Sequence, residues 1–100
     1  MSWFAVICTH GGAWQPGLPL ESQAGWEAHA AFMDRLEAES FVVLGGPLEG
    51  TEDVLLVVRA SDRAEIMDRL AEDPWSRDDL LRVSRVSPWT VRLNSVARFA

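Results

Sequence analysis

The 100-residue sequence holds two histidines, His10 and His29, and both fall where an imidazole could meet a small molecule. His29 lies in the stretch Trp26 to Gly50, WEAHAAFMDRLEAESFVVLGGPLEG, on one helical stripe with Trp26, Phe32, Met33 and Leu36. An imidazole among core side chains needs a partner or a pocket, because burying it unpaired costs about 1–3 kcal/mol. Asp73, three residues beyond Leu70 on the same side of a second amphipathic segment, is the carboxylate placed to serve. Such a pair moves protons: the carboxylate fixes the imidazole tautomer and leaves the other ring nitrogen to a substrate.

The elements that must position this pair follow from the pattern. Trp3 to His10 (WFAVICTH) is a strand, apolar on both faces and bounded by Gly11 and Gly12. Gly11 to Gln23 (GGAWQPGLPLESQ) is a loop longer than the usual connection, hence mobile or functional, with Trp14 the aromatic expected on a pocket wall. The first helix is expected from about Ala24 to Glu39, and Phe41 to Leu44 is a second strand, stopped by Gly45-Gly46-Pro47. These glycines suit a tight strand exit, or backbone N–H donation to a ligand from Gly45 and Gly46. Val54 to Arg59 is a third strand. Ser61 or Asp62 caps a second helix to about Glu72, with Asp62 and Glu65 at capping-box spacing, Ile66, Met67 and Leu70 as its stripe, and Pro74 as its end. Trp75 to Leu80 is a turn or short helical piece, and Leu81 to Leu93 a last strand that Pro88 marks as an edge. Residues 94–100 form a short tail.

The order β-α-β-β-α-β predicts a ferredoxin-like α+β fold: one domain over residues 1–100, with a four-stranded antiparallel sheet and two helices on one face. The first and third strands are then central, as their continuous apolar character requires. Two helices cover one sheet face, so a second copy of the chain is expected on the other, giving a homodimeric α/β barrel. Chain direction brings His10, the Gly11 to Gln23 loop, His29, Gly45 to Pro47 and Asp73 to one end of the domain.

Composition excludes other classes. A net charge of −6, with nine arginines scattered among acids and no lysine, argues against nucleic acid as partner and removes Schiff-base chemistry on lysine. No apolar run approaches a membrane span and no secretory leader pattern is present, so a cytoplasmic location is expected. The lone Cys8, inside an apolar strand, reads as packing.

The helix histidine in GWEAHAAFMDRL, the FVVLGGPL segment, the DPW after the second helix and the closing VSPWTVRL together resemble the YCII-related (YciI-like) family of dimeric α/β-barrel proteins. The resemblance spans nearly the whole chain. It implies an active-site His–Asp pair at His29 and Asp73, and chemistry similar to that of cofactor-free dehydrochlorinases and isomerases acting on small cyclic or aromatic acids. Many members carry an arginine at the end of the first strand, where this chain has His10. Three functions are expected in descending order: a cofactor-independent enzyme with His29 as general base and His10, Trp14, Gly46 and Pro47 around the substrate; a small-ligand binding protein using the same pocket; and a metal site built from His10, His29 and Asp73.

Overall fold

The computed structural model describes residues 1–96. Four strands, β1 (Ser2–His10), β2 (Val42–Pro47), β3 (Asp53–Ala60) and β4 (Leu81–Trp89), form one antiparallel sheet in the order β2-β3-β1-β4. The helices α1 (Trp26–Ala38), α2 (Arg63–Leu70) and the single turn α3 (Pro74–Arg77) complete the α+β arrangement. β1 and β3 are central, as expected from their apolar sequences.

Alternation along β1 sorts its side chains. Phe4, Val6 and Cys8 are buried, and they share a core with Leu56, Val58 and Ala60 of β3 and with Phe32, Leu36, Ile66 and Leu70 of the helices. A second cluster of Trp75, Leu80 and Leu81, with Trp14, Leu20 and Trp26 packed against it, fills the end of the domain near the start of α1.

Four local expectations are corrected. Gly45, Gly46 and Pro47 do not stop β2; they are its paired residues, opposite Leu56, Leu55 and Val54, because extended backbone accommodates glycine and the Pro47 position is on an edge. Pro74 does not simply end α2. It opens α3 as the first helical residue, where its missing N–H costs nothing, and Asp73 caps that turn. Met67 lies outside the buried stripe of α2, with Ile66 and Leu70 carrying the packing. β4 ends at Trp89 rather than Leu93, which is exposed. Pro88 does sit in β4, on the sheet edge opposite Phe4. Of the expected tail, residues 97–100 lie outside the described residues.

The capping box of α2 forms, with Asp62 accepting from the Glu65 N–H at 2.8 Å while the Glu65 carboxylate accepts from the Ser61 N–H. At the start of α1, Gly25 takes a left-handed conformation (φ 74°) that turns the chain out of the preceding loop and into the helix.

Candidate active site

His29 lies in the first turn of α1, one turn in from Gly25, on the buried side of the helix with Phe32 and Leu36. Its Nδ1 is 2.9 Å from both carboxylate oxygens of Asp73. A carboxylate only accepts, so Nδ1 carries a hydrogen, and in the neutral ring Nε2 is the nitrogen that holds the lone pair. The side chains are 11% and 5% exposed, and the pair is therefore shielded from bulk water. No hydrogen bond from the protein reaches Nε2, yet it is not among fully buried, unpartnered atoms, so it opens to accessible space.

His29 also lines a cavity of about 230 Å³ between α1 and the helix-covered sheet face, whose walls are mostly apolar. Trp26, His29 and Met33 line it from α1, Gly45, Gly46 and Pro47 from β2, and Cys8, Val54, Leu56 and Val83 from the other strands. A side chain at Gly45 would press on Leu56 at 2.8 Å, so the glycine keeps this wall flat.

Asp73 is fixed by the turn that follows it. Its Oδ1 accepts the Trp75 N–H at 3.0 Å as the cap of α3, so one carboxylate secures both the turn and the imidazole. Trp75 is fully buried, lies flat against His29 with ring centroids 3.9 Å apart and planes 7° apart, and donates its indole N–H to the Ala24 carbonyl at 2.7 Å. The imidazole is thus held at its edge by a carboxylate and on its face by an indole.

The expected site residues separate into two groups. His29, Asp73, Gly46 and Pro47 line one cavity. His10 and Trp14 are absent from its lining; they stack on each other at 3.8 Å, and Trp14 meets the edge of Trp75 at 5.5 Å. They back the indole that backs His29. Among the described residues no three His, Cys, Asp or Glu side chains stand together to hold a metal ion, which leaves the three-residue metal reading without a site.

Sequence reasoning missed Gln23. This buried amide accepts from the Gln15 N–H and donates to the Gln15 and Leu18 carbonyls, tying the Gly/Pro-rich loop into a closed turn. The loop start is also pinned, by the Gly12 N–H to the Asp79 carboxylate and the Ala13 N–H to the Asp79 carbonyl. The segment expected to be mobile or functional is a tied wall, bringing Leu20 to the cavity. A glutamine in a polar loop gives no periodic signal, so nothing in the sequence marked it.

Cys8 also lines the cavity. Burial, with a smaller contribution from the Asp73 charge, pushes its thiol up to about 11 and keeps it protonated. No helix among the described residues is long and apolar enough to cross a membrane.

Comparison with known proteins agrees with this architecture. No curated protein matches the chain. Among solved structures, 5-chloro-2-hydroxyhydroquinone dehydrochlorinase (TftG) from Burkholderia phenoliruptrix AC1100, in complex with 2,5-dihydroxybenzoquinone, is similar in fold, with a TM-score of 0.60 at 21% identity over 87% of this chain and 93% of that one. The model of the YCII-related domain matches residues 2–90. That match takes in all four strands and all the helices, and the chain belongs to the YCII-related family.

Proposed function

We propose that the protein is a cofactor-independent enzyme in which His29 moves a proton on a small cyclic or aromatic compound, in an elimination or isomerisation. The observation that carries this is the commitment of His29 Nδ1 to Asp73 in a residue that lines a cavity, with no protein hydrogen bond to Nε2. Nε2 takes a proton from the substrate, and Asp73 stabilises the imidazolium that forms. In an elimination the C–H electron pair becomes the new double bond and the leaving group departs with its own pair. In an isomerisation the same proton returns to a different atom. Cavities of about 150 Å³ hold benzene, so the volume here suits a substituted ring. The similarity in fold to a dehydrochlorinase supports the elimination arm.

The same reading has a second copy of the chain on the open sheet face, where Leu44 and Trp89 are exposed apolar side chains.

A panel of halogenated and unhalogenated ring hydroxy compounds and lactones, incubated with protein in D₂O and followed by NMR, tests the reaction. Halide release or deuterium uptake at carbon is expected with the native chain and lost in His29→Gln. Binding without either signal, equal in the native chain and His29→Gln, would replace the enzyme with a ligand-binding protein.

A further inference from the structure

We infer that the cavity selects an uncharged ring compound and rejects its carboxylate counterpart, with Asp34 and Glu37 of α1 as the specificity-determining residues. This rests on the reading that ligand sits beside His29, and it narrows the acids implied by family resemblance.

The inference follows from the ionisable groups along the cavity. Three carboxylates line it, Asp73 at the His29 end and Asp34 and Glu37 further along α1. Asp34 and Glu37 are exposed, and neither enters an ion pair among the described residues. Helical rise places Asp34 about 7.5 Å along the axis from His29, the span of a ring with a para substituent, and Glu37 one turn further. A substituent directed along the groove from a ring at His29 therefore runs towards acids.

The one arginine of the lining is already paired. Arg82 is the arginine in the lining, and its guanidinium is bound by two hydrogen bonds of 2.7 and 2.8 Å to the Asp79 carboxylate. At the inner end, Asp73 is already held by His29 Nδ1 and the Trp75 N–H, so this end of the lining offers a carboxylate and no free cation. A ligand carboxylate entering this groove would lose hydration, meet no unpaired arginine in the lining and face three carboxylates. A cationic ligand gains little at depth. Asp73 already accepts from His29 and Trp75, and the surrounding wall of Cys8, Val54, Leu56 and Val83 is apolar.

Two isosteric probes separate charge from shape: 4-hydroxybenzamide, which is neutral, and 4-hydroxybenzoate. Titration of the native chain, followed by calorimetry or ligand-observed NMR at low ionic strength, should give at least tenfold tighter binding of the amide. In Asp34→Asn/Glu37→Gln the difference should shrink several-fold through gain of benzoate binding, while Asp62→Asn, on another helix and away from the cavity, should leave it unchanged. Adding salt should narrow the gap in the native chain. Equal or tighter binding of 4-hydroxybenzoate to the native chain, no binding of either probe, or a preference that survives the double substitution would overturn the inference. Neither probe reports on proton transfer, so failure of the proton-transfer reading leaves this binding comparison readable by itself.

Discussion

The imidazole of His29 lies flat on the indole of Trp75, with 3.9 Å between ring centroids and 7° between planes. Trp75 is two residues after Asp73, whose carboxylate holds the imidazole edge, so one turn grips His29 from two directions. Orientation of the ring is therefore a property of the 73–75 turn as much as of α1. That coupling makes the pair rigid without a longer relay of polar residues.

Asp73 should show its two roles separately. Asp73→Asn keeps an oxygen able to cap α3 and should cost about 1 kcal/mol or less, while Asp73→Ala should cost about 1–3 kcal/mol by leaving buried donors unpaired. Both should lower turnover by about 10²–10⁴-fold, because Ala removes the acceptor that orients the imidazole and Asn removes the charge that stabilises the imidazolium. Urea denaturation beside single-turnover kinetics reads both quantities, and an Asn variant with native activity would remove Asp73 from the proton-transfer scheme.

Gly11 and Gly46 should respond in opposite ways to alanine. A Cβ at Gly11 would stand 2.2 Å from the Asp79 carbonyl oxygen, which is rigid backbone holding the loop start, whereas one at Gly46 meets nothing within 4 Å. Gly11→Ala should lose about 1–3 kcal/mol and Gly46→Ala less than about 0.5 kcal/mol in denaturant midpoints.

Cys8 sets a pH dependence at the alkaline end. The folded thiol is raised to about 11 from an ordinary value of 9.0, chiefly by burial, so above pH 9 the unfolded chain releases a proton that the folded chain keeps. The contribution is fully present below pH 9 and is lost between pH 9 and 11, amounting to about 2–3 kcal/mol. Denaturation curves across this range should fall more steeply for the native chain than for Cys8→Ala. Parallel curves would mean the thiol is not shielded. Thiol-directed reagents at pH 7 should label Cys8 only as fast as the chain opens.

The covered-face proposal predicts twice the chain mass in dilute solution by light scattering. Leu44→Glu changes a residue that is 62% exposed in the single chain, so it should leave the fold intact while shifting the mass towards one copy. A native chain that stays at one chain mass would mean the sheet face has another cover or none.

Apolar runs of strand length bounded by glycine, proline or charge, with the 3.6-residue stripes of the two amphipathic segments, were enough to predict the order of strands and helices. Order and chain polarity together brought His29 and Asp73 to the same end of the domain. Local chemistry was less legible where glycine and proline carry two meanings: Gly45-Gly46-Pro47 reads as a stop but pairs as strand, and Pro74 reads as an end but begins a turn. Only the tertiary structure separated His10 and Trp14 from the cavity, set Trp75 against His29, closed the loop through Gln23 and spent Arg82 on Asp79. Each of these depends on distances between side chains far apart in sequence, and neither periodicity nor composition encodes a distance.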